Sequence, residues 1–556
     1  MEKRVVIVGG VAAGATAAAR IRRLDENASI TIIEKGPYVS FANCGLPYRI
    51  SGDITKRSAL MLQTPEGFLA RYKVEVLLDT EAIGIDRAAR TVRVRSPEGE
   101  KDIPYDSLIL AQGGSPIVPN IAGTSSPNVF RLWTIPDMDA IQKYLETEKP
   151  ASAVVLGGGF IGLEVAEAFI KRGLATTIVE LTDHLMPPSD TEFGTLIAEA
   201  FREAGAEVRT GVSVTSIDAA TKTATLSDGS VIPAGIVLLS AGVRPNLDLA
   251  RSAGLEIGAS GGLSVDTQLA TGDPHIWAAG DMIEIKRIVD GRTVRIPLAG
   301  PANRQGRIAG TNALGGSESY AGALGTSVFK AVESTFAMTG LSEKAARDAG
   351  FPIKTSTVFK GNHASYYPGA TELALKLIYD GSSGRLLGAQ AFGKSGVDKR
   401  IDVLATALSA GMKVSDLARL DLSYAPPYSS ANDPINMAAF AAENDMSGYS
   451  PNVSPAEALS VAGDAVYLDV RTRGEFNKLA IAGSVNIPLD EIRDSLREIP
   501  HDRPIVIISR AGFEGHLAAR ILAQSGNAGF GSAIRYVSGG ISAMRLFPAF
   551  ESLKEV

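Results

Sequence analysis

The hydrophobic positions near the N-terminus form short continuous runs rather than an alternating pattern. Residues 5–8 (Val-Val-Ile-Val) are apolar throughout, which is typical of a parallel strand buried on both faces. A glycine-rich loop follows at 9–14, an alanine-rich segment predicts a helix over 15–24, and a second strand over 29–33 ends at Glu34. Strand, glycine loop, helix, strand and acid in this order predict a dinucleotide-binding module.

The same order of elements recurs after residue 150. An apolar run at 153–156 leads into the loop 157–162, which has all three glycines of the dinucleotide pattern, whereas the first loop has Val11 in the middle position. A further strand at 176–179 ends at Glu180. A carboxylate there accepts ribose hydroxyls, and no arginine follows at once to accept a 2′-phosphate, so the second module favours NADH over NADPH.

The two modules also match beyond their loops. Residues 91–95 and 223–226 each precede a turn and then a buried strand, at 108–110 and 237–239 respectively. Two modules of similar construction predict two bound nucleotides, as a relay from a hydride donor to a flavin requires.

Composition narrows the class of protein. The chain has 556 residues, enough for roughly three or four domains. A net charge of −6 argues against nucleic acid or anionic lipid as partner, and no apolar stretch is long enough to predict a membrane helix. We predict no metal site. A single cysteine excludes a disulfide-stapled secreted scaffold, so we expect a soluble, cytoplasmic protein.

The single cysteine, Cys44, is the candidate nucleophile. A free cysteine is often a small buried hydrophobe, but Asn43, Gly45 and Pro47 predict a loop entering a helix instead. Only a thiolate attacks sulfur, and helix N-termini and cations lower a thiol pKa, so we expect a low-pKa thiol here. One cysteine cannot form an internal disulfide, and disulfide chemistry would therefore need a second sulfur from the substrate.

The two loops, Cys44 and the strand end Ala-Gly-Asp at 279–281 together resemble the pyridine nucleotide–disulfide oxidoreductases over about residues 1–445. The resemblance implies that the first module binds FAD, that the second binds the nicotinamide cofactor, and that 325–445 forms a homodimer. The FAD-binding residues that it implies are Gly9, Gly10, Ala12, Ala13, Gly14, Glu34, Lys35, Asn43, Ala111, Asp281, Leu298 and Ala299. The NAD-binding residues that it implies are Gly157, Gly159, Phe160, Ile161, Gly162, Glu180 and Gly242.

The pattern Ser-Phe-x-x-Cys-Gly at 40–45 resembles the single-cysteine branch of that family. This branch contains coenzyme A disulfide reductases, NADH-dependent persulfide reductases, and NADH oxidases and peroxidases. The oxidases and peroxidases carry a histidine where this chain has Ala12, which favours the coenzyme A branch. The resemblance implies catalytic roles for Cys44, for Tyr424, and for Tyr366 or Tyr367, with the tyrosines reaching the partner subunit's thiol site.

The same branch implies a set of residues around coenzyme A. Asn303 and Asn432 depart from the histidine and lysine that the reductases use at these positions, which leaves the exact thiol substrate open. The predicted coenzyme A-binding residues are Arg20, Arg23, Ser40, Asn43, Arg71, Asn303 and Asn432.

A separate small α/β pattern follows a predicted linker. Strands over 466–471 and 505–508 make this segment resemble a rhodanese domain, a sulfur-transfer module. Its active loop normally has a cysteine and an arginine, where this chain has Ser509 and Glu514. A serine hydroxyl cannot carry a persulfide, so we expect this domain to dock, to bind a sulfur-bearing ligand or to stabilise the dimer.

The predicted fold class is α/β, with two Rossmann-like domains, an α+β dimerisation domain and a small rhodanese-like α/β domain. The predicted function is reduction of coenzyme A disulfide, coenzyme A persulfide or polysulfide by NADH, with FAD and one redox cysteine. The alternatives are an NADH oxidase or peroxidase that uses a cysteine sulfenic acid, and a non-catalytic sulfur-binding protein. The predicted domains are 1–118 with 250–324 (FAD), 119–249 (NAD(P)H), 325–446 (dimerisation), 447–451 (linker) and 452–556 (rhodanese-like).

Overall fold

The structure is a computed structural model that describes residues 2–500, 502–526 and 534–555. The outer limits of the predicted domains, Met1 and Val556, lie outside the described residues. The α/β fold class is confirmed. The chain forms two compact units, of which the first is Met1–Leu181 with Gly205–Gly325 and the second is Thr182–Ala204 with Thr326–Val556.

The first unit contains two five-stranded parallel sheets of matching topology. Each has a central strand that is apolar and buried on both faces, which is why a continuous hydrophobic run builds it. In spatial order the first sheet is Ile276–Ala278, Ser107–Leu110, Arg4–Val8, Ser29–Ile33 and Val74–Leu77. The second is Glu207–Thr210, Ala175–Glu180, Ser152–Leu156, Ile236–Leu239 and Val129–Phe130.

The described residues of this unit also form small antiparallel sheets and seven α-helices. Of these helices, the first begins at Ala12, three residues earlier than predicted and directly after the glycine loop. The small sheets are Glu81–Asp86, Thr91–Ser96 and Gly99–Pro104; Val214–Asp218, Thr223–Leu226 and Val231–Pro233; Gly114–Pro116 with Val243–Pro245; and Ile285–Lys286 with Thr293–Val294. The α-helices are Ala12–Leu24, Leu46–Ser51, Pro65–Tyr72, Ile135–Glu148, Phe160–Lys171, Asp248–Ser252 and Ala299–Ala313, with 3₁₀ turns at Asn43–Gly45 and Arg57–Leu60.

The second unit is built on an antiparallel five-stranded sheet. Its strand Glu372–Asp380 is buried from Leu373 to Tyr379. In spatial order the strands are Ser327–Ala331, Ser334–Gly340, Leu386–Gly393, Glu372–Asp380 and Ile353–Gly361. The helices are Thr191–Glu203, Glu343–Asp348, Val397–Ser409, Val414–Leu417 and Pro434–Met446.

The C-terminal segment of the same unit adds a parallel five-stranded sheet. Its strand from Val466 ends at Asp469, two residues earlier than predicted, because the buried Asp469 carboxylate pairs with Arg471 and turns the chain. In spatial order the strands are Asn452–Val453, Ile534–Val537, Ile505–Ile508, Val466–Asp469 and Val485–Asn486, with Ala480–Ile481 paired to Lys554–Glu555. The helices are Pro455–Ser460, Arg473–Phe476, Phe513–Ala523, Gly540–Met544 and Pro548–Glu551, with a 3₁₀ turn at Leu489–Glu491.

This C-terminal sheet packs against the antiparallel sheet of its unit through buried polar contacts. The backbone N–H of Thr357 donates to the Ser538 hydroxyl at 2.8 Å, and both residues are buried. The buried Asp445 carboxylate, on the helix Pro434–Met446, accepts from Lys354 of the antiparallel sheet at 2.7 Å and from the backbone N–H of Asn452 of the C-terminal sheet at 3.0 Å. In the predicted linker, Ser450 is buried and bonds His516 at 2.9 Å. Residues 447–451 are therefore packed against the unit and do not form a free tether.

None of the helices in the described ranges combines the length and the apolar character that crossing a membrane requires.

Candidate active site

The two glycine loops have the same local geometry. Gly9 has φ +100° and Gly157 has φ +107°, the left-handed region that favours glycine. A Cβ at Gly9 would lie 2.2 Å from the Ala111 carbonyl oxygen, and one at Gly157 would lie 2.3 Å from that of Ser240. In each loop the first glycine is thus required both by its backbone angle and by the adjacent strand.

The last glycine of each loop allows its helix to approach the loop closely. A Cβ at Gly14 would lie 1.8 Å from the Gly9 carbonyl oxygen, and one at Gly162 would lie 2.0 Å from that of Gly157. Any larger side chain would push the helix N-terminus away from the loop, where backbone N–H groups bind phosphates.

The middle position explains why Val11 is tolerated. Val11 has φ −98° and its counterpart Gly159 has φ −86°, both open to any L-residue. A Cβ at Gly159 would meet no atom within 4 Å. The protein itself therefore does not require glycine at this position.

The predicted ribose-binding acids also correspond. Glu34 accepts from the Gly10 N–H at 2.8 Å, and Glu180 accepts from the Gly158 N–H at 2.7 Å. Burial raises the pKa of Glu34, while hydrogen bonds from the backbone N–H groups of Gly36 and Gly10 act against that rise.

A cavity of about 620 Å³ extends along the first glycine loop. Its volume, its glycine cradle and the carboxylate of Glu34 fit a dinucleotide such as FAD. Of the predicted FAD-binding residues, those that line it are Gly9, Gly10, Ala12, Ala13, Glu34, Lys35, Asn43, Ala111 and Asp281. Gly14 packs beneath the loop, and Leu298 and Ala299 start the helix Ala299–Ala313 instead.

Several lining residues have no motif that a single sequence could reveal. Trp133 and Thr134 come from the segment before the helix Ile135–Glu148, and Asn246 follows the strand Val243–Pro245. They line the cavity because the chain comes back to it at both ends of the second module. Nothing in their spacing along the sequence predicts this.

Cys44 lies in the 3₁₀ turn that leads into the helix Leu46–Ser51, as its neighbours predicted. Cys44 as a residue is exposed, and its Sγ lies 3.9 Å from the Asn43 side-chain oxygen. Because protein atoms around the sulfur displace water, desolvation raises the pKa of the thiol, and the negative charges of Glu164 and Asp281 raise it further. The expectation of a low-pKa thiol is therefore wrong for the polypeptide alone.

The structure brings together two of the three predicted catalytic tyrosines. The hydroxyls of Tyr366 and Tyr424 are 2.9 Å apart, and the Tyr366 side chain is 73% exposed. Tyr367 instead makes an edge-to-face contact with His363, with ring centres 5.7 Å apart. This pairing favours Tyr366 over Tyr367 as the partner of Tyr424.

Two of the predicted coenzyme A-binding residues of the first unit already have side-chain partners within the protein. Arg20 donates to Thr311 at 3.0 Å and pairs with Glu318 at 3.1 Å, so its guanidinium is already engaged. The Asn303 side chain accepts from the Thr16 hydroxyl at 2.6 Å.

The remaining members of the set are open to solvent to different degrees. Arg23 and Arg71 are exposed, and Ser40 has φ +47° in the turn before Cys44. Asn432 is exposed in the second unit, just before the helix Pro434–Met446. Of the three arginines in the set, Arg23 and Arg71 are thus open to a phosphate. Arg20 would first have to break its ion pair with Glu318.

The rhodanese-like loop keeps a tight shape without its cysteine. Ser509 is 1% exposed, and its hydroxyl accepts from the Gly512 N–H at 2.9 Å. Gly512 has φ +101°, which glycine adopts readily. Oε2 of Glu514, the residue that replaces the loop's arginine, is buried without a hydrogen-bond partner.

Three acidic side chains of the second unit converge with the spacing of metal ligands, but a lysine lies among them. The buried Lys376 ammonium is 2.9 Å from Asp190 and 2.5 Å from both Glu192 and Glu343. Burial acts to lower the pKa of Lys376, but the charges of the three carboxylates together outweigh it and keep that pKa well above its ordinary value. This cluster joins the helix Thr191–Glu203 to the antiparallel sheet.

Comparison with protein-family models identifies three domains that together cover most of the chain. Residues 3–306 match the pyridine nucleotide-disulphide oxidoreductases, and 326–434 match the dimerisation domain of that family. Residues 454–546 match the rhodanese-like domain. The chain belongs to the pyridine nucleotide-disulphide oxidoreductase family and carries a rhodanese-like domain at its C-terminal end.

Individual relatives within this family are named for more specific activities. An NAD(P)H coenzyme A polysulfide/persulfide reductase of Pyrococcus horikoshii is 35% identical over 436 residues, 78% of this chain and 97% of the relative. A coenzyme A disulfide reductase of Staphylococcus aureus is 34% identical over 444 residues, 79% of this chain and all of the relative. A more distant relative, from Methanocaldococcus jannaschii, is named NADH oxidase and is 31% identical over 439 residues.

One solved structure resembles the chain over its full length. The crystal structure of reduced Bacillus anthracis CoADR-RHD has 40% sequence identity and a TM-score of 0.96, with 100% of each chain covered. The rhodanese-like segment is therefore present, in the same architecture, in a second protein.

Proposed function

We propose that this oxidoreductase uses NADH to reduce a disulfide or persulfide of coenzyme A, with Cys44 as its only covalent sulfur centre. The observation that carries the proposal is the position of Cys44. The one thiol of the chain follows Asn43, which lines the first dinucleotide cavity. Besides desolvation and Glu164, the charge of Asp281, which lines the same cavity, raises the pKa of the thiol.

The residues that would hold the cofactors follow from the two loops. The first loop, with Glu34 and Asp281, would bind FAD, and the second, with Glu180, would bind NADH. When bound, the flavin supplies two-electron chemistry between a nicotinamide and a disulfide. The protein contributes the alignment of the two sites and the thiol beside them.

The sulfur chemistry balances with one cysteine. The Cys44 thiolate attacks one sulfur of coenzyme A disulfide, the substrate S–S bond breaks, and one coenzyme A leaves as a thiolate that takes up a proton. Two electrons from NADH then cleave the Cys44–coenzyme A disulfide, which releases the second coenzyme A and restores the thiolate. With a coenzyme A persulfide, the same electrons release sulfide and one coenzyme A.

The paired phenols of Tyr366 and Tyr424 are the proton donors that we assign to the leaving thiolate. Hydrogen bonding between the two hydroxyls raises the pKa of Tyr366, so the phenol stays protonated at neutral pH. As in the family that the chain belongs to, we place this pair at the thiol of the partner subunit in a homodimer. Since a free catalytic thiol needs a reducing compartment, we also expect a cytoplasmic location.

An NADH oxidase or peroxidase that cycles Cys44 through a sulfenic acid is the alternative within this family. The first loop favours the reductase, because Ala12 lines the cavity where a polar histidine would assist peroxide chemistry. We propose a structural rather than a sulfur-transfer role for the rhodanese-like domain, since Ser509 is buried and cannot form a persulfide.

Anaerobic NADH oxidation tests the proposal. The purified enzyme should oxidise NADH with coenzyme A disulfide or persulfide as acceptor, at least about tenfold faster than with peroxide or oxygen. Cys44→Ser should abolish turnover with the thiol substrates while NADH still bleaches the flavin absorbance. Full turnover in Cys44→Ser, or fast turnover with peroxide alone, would contradict the proposal. A flavin that NADH does not bleach in the wild type would favour a non-catalytic sulfur-binding protein.

A further inference from the structure

The segment that leads into the helix Ile135–Glu148 covers part of the first dinucleotide cavity. Four consecutive residues, 133–136, line that cavity together with the glycine loop and Tyr38. They belong to the chain that enters the second module and not to the sheet that carries the loop. The contacts that hold them in place therefore affect how firmly the cavity encloses its cofactor.

The first turn of this helix is joined to the lining residues by its N-terminal cap. The Asp137 carboxylate accepts from the backbone N–H of Thr134 at 2.8 Å and from that of Trp133 at 3.2 Å. The Thr134 hydroxyl in turn accepts from the backbone N–H of Asp137, which completes a capping box. A displacement of the helix would therefore also displace Trp133 and Thr134.

Arg57 connects this helix to another part of the cavity wall. Its Nε donates to Oδ1 of Asp139, on the helix, at 2.9 Å, and its Nη2 donates to Oδ2 at 2.7 Å. The same Nη2 donates to the Tyr38 hydroxyl at 2.7 Å. Tyr38 belongs to the lining that the structure describes, whereas Arg57 and Asp139 do not. One arginine outside the cavity thus joins two parts of its wall.

The backbone that carries Arg57 is itself anchored. The 3₁₀ turn Arg57–Leu60 leads into a backbone hydrogen bond, in which the N–H of Ala42 donates to the Leu60 carbonyl oxygen at 2.8 Å. Ala42 lies two residues before Cys44, so the turn is fixed to the thiol-bearing segment. A bidentate ion pair between anchored groups loses less conformational entropy on forming than a pair between two free side chains. Arg57 can therefore hold the helix in place.

We propose that Arg57 is a positioning residue for the flavin site. Its bonds to Asp139 and Tyr38 hold residues 133–136 against the cavity and slow the release of bound FAD. The Arg57 and Asp139 side chains are 34% and 40% exposed, and ion pairs of such exposure add little to the stability of a fold. Loss of the pair should therefore affect cofactor retention more than folding. This inference goes beyond the proposed function, because it requires bound FAD but no particular thiol substrate.

The rate of flavin release tests the proposal. The holoenzyme is diluted into urea at a concentration below its unfolding transition, and the rise in fluorescence of free FAD gives the dissociation rate. Arg57→Met should raise this rate about threefold or more, because a bidentate charged contact is lost. Asp139→Ala should raise it by a similar factor. The double variant should release FAD little faster than Arg57→Met, since the two side chains act through one contact.

Two further variants make the result specific. Arg57→Lys keeps the charge but lacks the planar fork that binds both carboxylate oxygens, so its release rate should lie between those of the wild type and Arg57→Met. Arg93→Met removes another ion pair of the same unit, with Asp102 at 3.0 Å, from a small antiparallel sheet. This control should leave flavin release unchanged.

Hydrogen exchange shows whether the effect passes through the lining segment. In enzyme saturated with FAD, the backbone amides of residues 131–139 should exchange faster in Arg57→Met than in the wild type, because the start of the helix is held less firmly. The same amides should be unaffected in Arg93→Met. Faster release of FAD without faster exchange in this segment would contradict the proposal.

Wild-type release rates in both Arg57→Met and Asp139→Ala would overturn the proposal and leave the pair as an incidental surface contact. If Arg57→Met fails to fold, Asp139→Ala alone decides, and a release rate identical to that of the wild type contradicts the role of Arg57. Flavin release is measured without any thiol substrate. Failure of this inference is therefore distinguishable from failure of the proposed function.

Discussion

At the scale of single residues, the glycines of the dinucleotide motif are required for different physical reasons, although the motif treats them alike. Gly157 is required by its positive φ, and Gly162 by a carbonyl oxygen only 2.0 Å from where its Cβ would lie. Gly159 has neither constraint from the protein. This lack of constraint explains why the first loop has a valine, Val11, at the equivalent position.

A matched pair of alanine substitutions separates these duties. Gly162→Ala should destabilise the enzyme by about 1–3 kcal/mol, because the new methyl group forces the helix away from the loop. Gly159→Ala should leave the thermal midpoint nearly unchanged but weaken NADH binding, since here the dinucleotide rather than the protein needs the close approach. Differential scanning fluorimetry and NADH titration measure the two effects, and equal losses of stability would contradict this division.

At the scale of elements, one buried arginine connects the two segments that carry Tyr366 and Tyr424, the tyrosines that we propose as proton donors. Arg400, 1% exposed on the helix Val397–Ser409, pairs with Asp433 at 2.8 Å and donates to the Asn362 carbonyl oxygen at 2.8 Å. Asn362 lies four residues before Tyr366. Asp433 also accepts from Ser429, whose segment contains Tyr424.

Removing this arginine should be strongly destabilising, and the loss should depend on pH. Arg400→Met leaves the Asp433 carboxylate buried without its cation, which costs about 3–5 kcal/mol. Arg400 helps to hold the pKa of Asp433 below its ordinary value, against the opposing effect of burial. The stabilisation is therefore present above about pH 4 and is lost as pH falls through the lowered native pKa.

Unfolding at two pH values checks this expectation. The difference in midpoint between wild type and Arg400→Met should be larger at pH 7 than near pH 4, where the variant's unpaired Asp433 takes up a proton. Arg400→Met combined with Asp433→Asn should recover part of the lost stability. The control Arg419→Met, at an exposed position, should leave the unfolding midpoint unchanged. A constant difference at both pH values would mean that lost packing, and not the charge, is responsible.

At the scale of the molecule, sequence reasoning succeeded where a local pattern is repeated and failed where distant segments meet. The two sheets were predictable because continuous apolar runs, glycine loops and terminal acids occur twice in the same order. The raised pKa of Cys44 was not predictable, since its main cause is desolvation by the surrounding protein, and the charge of Glu164, which adds to it, comes from a residue 120 positions away. The lining by Trp133 and Asn246 was missed for the same reason.

The C-terminal domain shows the same limit. Its loop sequence predicted that sulfur transfer is lost, but the sequence offered no sign of how firmly the domain is attached. Ser538 bonds Thr357 through its hydroxyl, and Arg545 pairs with Glu199 at 2.8 Å. The Thr195 hydroxyl donates to the Leu546 carbonyl oxygen at 2.9 Å. Because of these contacts, we expect the domain to unfold together with the antiparallel sheet.

Ser538→Ala tests this attachment. The substitution leaves the buried N–H of Thr357 without an acceptor, which should cost about 1–3 kcal/mol and lower the midpoint of thermal unfolding. Tyr449, exposed in the connecting segment, should become more accessible to chymotrypsin, because loosening the domain also loosens the Tyr449 contact with Arg520. The matched control Ser552→Ala removes an exposed hydroxyl that bonds only within its own turn and should leave both readouts unchanged. If the C-terminal domain were an independent module on a tether, Ser538→Ala would alter neither the unfolding midpoint nor the rate of cleavage after Tyr449.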